Sequence, residues 1–190
     1  MWGKAATNVS VTAHPRHGSF RSHGVPTDVA SRGLASGIGP YTFQRMKTFT
    51  LTPIGVVRTP FTDTKQIPKG PGAKHDEEGV LEIRPEYEAG LADIEGFSHL
   101  FVLWVFDRVD GYDLTAHPPT DDKPHGVFAT RSPQRPNAIG LTVVELVGRD
   151  GTKLAVRGVD MLDGSPIVDI KPYLSSVPAE RLKRGWLEGC

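Results

Sequence analysis

The chain has 190 residues, enough for one domain with flanking segments, and only 38% of them are hydrophobic, which is low for a chain packed throughout. Lysine plus arginine and aspartate plus glutamate each total 22, so the net charge is zero; a nucleic-acid partner would have to be held by a local patch, by shape or by stacking. Cys190 is the one cysteine, which excludes a disulfide framework and a cysteine metal site and suits a reducing, cytoplasmic compartment.

Residues 1–45 are rich in Ser, Gly, His, Arg and Thr, hold Asp28 as their sole acid and show no periodicity. A segment of this kind cannot bury enough apolar surface to offset its chain entropy, so a disordered extension is expected, with Met46 read as the true start. A transit peptide would share this composition, but no signal-peptide core is present. No apolar run anywhere approaches the roughly 20 residues that cross a bilayer, so no membrane partner is expected.

Residues 46–174 read as one domain and 175–190 as a tail. Residues 48–57 alternate polar and apolar, with Pro53 demoting them to an edge or bent strand. Residues 62–78 form a long Pro/Gly-rich loop containing Pro68, Lys69 and Gly70, and loops of that length are functional or mobile. A short strand is expected at 79–83. A short helix follows at 84–94, with Pro85 in its first turn and Tyr87, Leu91 and Ile94 on one face. Residues 98–106 are the most apolar run and predict a central strand buried on both faces.

After a polar segment, 126–129 read as a strand leading into a loop that carries Arg131, Arg135 and Asn137 and is stiffened by Pro133 and Pro136. Two guanidiniums and an amide on such a loop suit a carboxylate or phosphate; the alternative is a proline-rich turn with solvated arginines. Strands at 139–147 and 153–161 are joined through Asp150-Gly151, a strong hairpin signal, and a last strand is expected at 167–170. Six or more short strands with a single short helix predict an all-β fold, an antiparallel barrel or sandwich. There is no βα alternation and no Gly-x-Gly-x-x-Gly loop for a nucleotide.

His75, His99, His117 and His125 lack metal-ligand spacing, and no metal is expected. Asp160 lies among apolar neighbours, where an unpaired carboxylate is costly; an arginine of the 131–137 loop is its expected partner. Asp163-Gly164 reads as a turn with a capping side chain, and Asp169 with Lys171 reads equally as an ion pair or as chemistry.

Three stretches together identify a resemblance. They are Gly126-Val-Phe-Ala-Thr-Arg131-Ser-x-x-Arg135-Pro-Asn137, then Ile139-Gly140-Leu141, and Leu162-Asp163-Gly164-Ser-Pro-Ile-Val-Asp169-Ile-Lys171-Pro-Tyr173. This pattern resembles the TsaA-like family, whose characterised members are TrmO-type tRNA methyltransferases. These methylate N6 of N6-threonylcarbamoyladenosine beside the anticodon with S-adenosylmethionine.

The resemblance implies an all-β barrel acting as a homodimer, with tRNA as substrate and the cofactor near the subunit interface. It implies cofactor contacts at Pro68, Lys69, Gly70, Asp107, Arg108, Arg131, Leu141, Gly158, Val159, Asp160 and Met161. Asp160 or Asp163 is the candidate base, and Arg135 and Asn137 would meet the threonyl carboxylate or a phosphate. Lys69-Gly70, Asp107 and Ala138 depart from the family's usual Arg-Gln, His and Pro, and the further C-terminal domain of many bacterial members is not in this sequence. The alternatives are a methyltransferase of the same fold acting on another small acceptor, and a non-catalytic barrel binding an adenosyl ligand or RNA.

Overall fold

The computed structural model describes residues 48–68, 75–119 and 122–174. The expected extension over 1–45, the tail over 175–190, and Lys69 and Gly70 lie outside the described residues. The strands are β1 Gly55–Arg58, β2 Glu78–Ile83, β3 His99–Val105, β4 Thr115–Ala116, β5 His125–Gly126, β6 Ile139–Asp150, β7 Lys153–Arg157 and β8 Pro166–Pro172. Six of them close an antiparallel barrel in the order β1-β2-β7-β6-β3-β8, with β8 pairing back onto β1. β4 and β5 form a separate small ribbon. The all-β, barrel-like expectation therefore holds.

Alternation of side chains builds the interior. Leu100, Val102 and Trp104 of β3 and Thr142 and Val144 of β6 are buried, as are Val57, Leu81, Leu154, Val156 and Ile167 from the other strands. Val159 and Met161, from the connection between β7 and β8, complete the cluster. Each such aliphatic side chain stabilises the fold by roughly 1.5–3 kcal/mol relative to exposure. The β6–β7 hairpin turns on Gly151, whose φ of 57° suits a residue without Cβ. Across β2, β7 and β6, Arg157 bridges Glu78 at 3.1 Å and Glu145 at 2.9 Å. The Glu78 hydrogen bond first, and then the charge of Glu145, hold its guanidinium above the ordinary arginine value.

Four local expectations are corrected. The run at 48–57 enters the strand Gly55–Arg58 only from Gly55, with an isolated bridge at Leu51, because Pro53 interrupts the ladder between them. The helix expected at 84–94 is 3₁₀, at Pro85–Leu91 and again at Ile94–Gly96, with Asp93 between them in the left-handed region at φ 65°. Residues 126–129 continue a two-residue strand as a 3₁₀ turn at Val127–Ala129, which buries Val127 and leaves Phe128 outside. β3 is not buried on both faces: Phe101 and Leu103 point outward and are half-buried, with no second layer over them among the described residues. Among the described residues no helix is long and apolar enough to cross a membrane.

Candidate cofactor and catalytic site

The candidate residues gather at the end of the barrel where β3 stops and β6 and β8 begin. The entering loop is pinned from within. Arg135 directs Nη1 and Nη2 to the carbonyls of Val127, Thr130 and Ser132 at 3.3–3.5 Å. Thr130 Oγ1 donates to Val127 O at 2.9 Å and accepts the Ser132 N–H. Arg135 is thus turned back on its own loop instead of outward to an anion. Arg131, on the same loop, is exposed and donates to the carbonyl oxygen of Leu141 on β6. That contact uses part of a guanidinium that has five N–H donors. Asn137 is exposed, and its side chain has no partner among the described residues.

The connection from β7 to β8 supplies the other wall. Gly158 has φ 97°, and a Cβ there would lie 3.3 Å from the His75 carbonyl oxygen. The Gly158 and Val159 N–H groups both donate to Glu77 O, at 2.9 and 3.3 Å. Val159 and Met161 are buried while Asp160, between them, is half-buried. The partner of Asp160 is not an arginine: Asp160 Oδ1 accepts the Thr142 hydroxyl at 2.5 Å. Thr142 Oγ1 in turn accepts Trp104 Nε1–H at 3.0 Å. Thr142 takes an inward position on β6, whereas Arg131 reaches the carbonyl of the outward-facing Leu141, so the carboxylate meets the hydroxyl. Gly140 lets the indole lie flat on the backbone, since a Cβ there would be 2.3 Å from Trp104 Cε2. Phe106 packs on the same ring, with centroids 4.2 Å apart.

Asp163 is engaged in holding its turn. Its Oδ1 accepts the Thr59 N–H at 3.2 Å, its own N–H donates to Phe61 O at 2.8 Å, and Arg58 Nη1 lies 3.9 Å from Oδ2. These are the contacts of the capping side chain expected there. Arg108 donates to Asp163 O, which ties the Asp107-Arg108 turn after β3 to the 160–164 turn. Pro68 is exposed at the edge of the described loop. Asp169 and Lys171 form an ion pair at 2.6 Å on β8.

A cleft of about 290 Å³ opens elsewhere, lined by Ile54, Ile83, Tyr87, Leu91, Ile94 and Phe97 among others. It lies at the opposite end, where β1 starts and β2 and β8 finish, and the carboxylate in its lining, Asp169, is already paired with Lys171. Chemistry therefore favours the Asp160 end.

Residues 56–179 match the model of the tRNA-methyltransferase O N-terminal domain. The chain belongs to the TrmO family. It is 46% identical over 137 residues to a probable S-adenosyl-L-methionine-binding protein of Pyrococcus abyssi, covering 72% of this chain and 74% of that one. It is 39% identical over 139 residues to the tRNA (adenine(37)-N6)-methyltransferase of Escherichia coli, covering 68% of this chain and 59% of that one. The crystal structure of TrmO from Pseudomonas aeruginosa superposes with a TM-score of 0.61 at 33% identity, covering 74% of this chain and 63% of that one. The chain thus spans about six tenths of the length of the last two.

Two residues of this candidate site in the TrmO-family chain are not picked out by the sequence, Trp104 and Thr142. The available signal was a hydroxyl in an inward position of an alternating strand, which predicts a buried polar partner.

Proposed function

We propose that this chain is an S-adenosylmethionine-dependent N-methyltransferase acting on tRNA, at N6 of the threonylcarbamoyl-modified adenosine beside the anticodon. The observation that carries this reading is Asp160. One of its oxygens is fixed by Thr142, the other has no partner among the described residues, and the family-matched loop bearing Arg131 adjoins the same strand. The names of the relatives, an S-adenosyl-L-methionine-binding protein and a tRNA methyltransferase, agree with it.

The residues fit the cofactor chemically. S-adenosylmethionine, when bound, supplies an electrophilic methyl group on a sulfonium. Asp160 Oδ2 would accept from its hydroxyl or ammonium donors, the remaining N–H groups of Arg131 suit its carboxylate, and Phe106 and Leu141 offer apolar surface, while Met161 is buried in the core behind them. Arg108 keeps the 160–164 turn in place, and Arg135 keeps the loop of Arg131 in shape. Asn137, free on that loop, is available to hydrogen-bond the acceptor. Most of the rate would come from positioning two reactants, since the donor carries the difficult chemistry.

The same reading includes a homodimer. Phe101, Leu103, Leu141 and Val143 form an outward apolar strip on β3 and β6, extended by Tyr173, whose ring lies 5.0 Å from that of Phe101. Val143 and Leu141 are 41% and 48% exposed, and a contiguous apolar patch of this kind marks an association surface. Leu141 belongs both to this strip and to the Arg131 contact, which would place the cofactor beside the interface.

The test is transfer of labelled methyl from S-adenosylmethionine to tRNA carrying threonylcarbamoyladenosine, to the same tRNA without it, and to no RNA. Label on the modified tRNA alone is expected; label on neither RNA overturns the tRNA assignment.

A further inference from the structure

We infer that Thr142 and Trp104 are positioning residues for the cofactor, acting through Asp160. The inference rests on the reading that this end of the barrel binds S-adenosylmethionine, and it adds a chain of three side chains leading inward from that site. Trp104 Nε1–H has one proton to give and directs it to Thr142 Oγ1 at 3.0 Å. The Thr142 hydroxyl has one proton, and with the indole on its lone pair that proton goes to Asp160 Oδ1 at 2.5 Å. Donor and acceptor roles are therefore set along the whole chain, without a tautomer or rotor left to choose.

The chain is anchored at its inner end. Trp104 is 5% exposed, packs on Phe106, and sits on Gly140, where any Cβ would strike the ring. Thr142, also 5% exposed, is one of the few buried polar residues among those described. Asp160, by contrast, sits on a connection between strands, its backbone held by the buried neighbours Val159 and Met161 and its carboxylate by the Thr142 hydroxyl. Oδ1 fixed by Thr142 leaves Oδ2 presented in one direction, so the ligand does not have to order it on binding. A threonine kept only for packing would be served as well by valine, whose shape it shares.

The experiment is a double-mutant cycle on the full chain, read by calorimetric titration with S-adenosylmethionine and with S-adenosylhomocysteine, alongside thermal melting. Thr142→Val is expected to weaken binding about tenfold, and Asp160→Ala about ten- to a hundredfold, the range for hydrogen bonds to charged groups. Thr142→Ser, which restores the hydroxyl, is expected to recover most of the loss. The double variant Thr142→Val/Asp160→Ala is expected to bind within about twofold of Asp160→Ala alone, because the hydroxyl has nothing left to orient. Losses that multiply, or a Thr142→Val protein that binds like wild type, overturn the inference and leave the function standing. Trp104→Phe, which keeps an aromatic ring, smaller than the indole, and removes the N–H, provides a second route to the same test should Thr142→Val fold poorly. Its affinity is expected to fall several-fold, and unchanged affinity counts against the chain. A wild-type protein that binds neither compound overturns the cofactor reading and this inference together.

Discussion

Gly140→Ala is the most informative single change to the scaffold. The new Cβ would lie 2.3, 2.6 and 2.7 Å from Trp104 Cε2, Nε1 and Cδ2, well inside van der Waals contact. The ring cannot swing away cheaply, because Trp104 is buried and Phe106 packs on it at 4.2 Å. Overpacking of this kind costs about 1–3 kcal/mol. Shifting the indole also breaks its 3.0 Å bond to Thr142 and strands a buried N–H, which adds about 1–3 kcal/mol. A total of roughly 2–6 kcal/mol corresponds to a fall in melting temperature of about 4–24 °C, at about 2–4 °C per kcal/mol for a chain of this size. Gly148→Ala is the control: it lies on the same strand, at a bulge, with nothing within 4 Å of the added carbon. Differential scanning calorimetry of both variants decides the matter. A Gly140→Ala protein melting within about 2 °C of wild type would refute the reasoning, as would equal losses for the two glycines.

Four further outcomes are expected. Arg131→Ala should weaken S-adenosylmethionine binding at least about tenfold, the scale of a charge-assisted pair; unchanged calorimetric affinity would remove Arg131 from the site. Arg135→Ala should lower cofactor affinity and methyl transfer together, since Arg135 holds the loop that carries Arg131, and transfer lost with affinity intact would return it to an acceptor-binding role. Asp163→Asn should cost about 1 kcal/mol of stability while keeping methyl transfer at 25 °C, and loss of turnover in a folded protein would restore it as a candidate base. For Arg157, a raised folded value means that its contribution is fully present below the ordinary arginine value and is lost only as pH climbs through the raised one. Arg157→Gln should therefore lower the melting temperature equally at pH 7 and pH 9, and a gap that changes between them contradicts the sign.

The barrel was legible where alternation and turn chemistry agree. β6 and β7 follow from Asp150-Gly151 between two alternating runs, and β3 from its aromatic and β-branched content. Short segments were misjudged where periodicity has too few residues to speak, as at Val127–Ala129, where three apolar residues turn as 3₁₀ and bury only the first. The outward face of β3 was read as buried because an apolar run in sequence does not distinguish a half-exposed face of a strand from one packed on a core. At the site, the loop motif located Arg131 and Arg135 but not their directions: one points to Leu141 and the other to its own loop. Asp160 was flagged by the cost of burying a carboxylate, but its partner lies 18 residues away on β6, a pairing set by the β6–β7 register after its bulge, carried three residues past Glu145↔Arg157.

The outward strip on β3 and β6 makes an independent prediction about assembly. Val143→Glu, at a position 41% exposed, should convert a dimer to a monomer in sedimentation at micromolar concentration, and an unchanged dimer would place the interface elsewhere.

The central claim is that the Asp160 end of the barrel, and not the apolar cleft at the other end, receives the methyl donor. A crystal structure with S-adenosylhomocysteine tests it most directly. The ligand is expected against Asp160, Arg131 and Leu141, with Asp160 Oδ1 still on Thr142; a ligand bound instead among Ile54, Tyr87 and Phe97 would contradict the account.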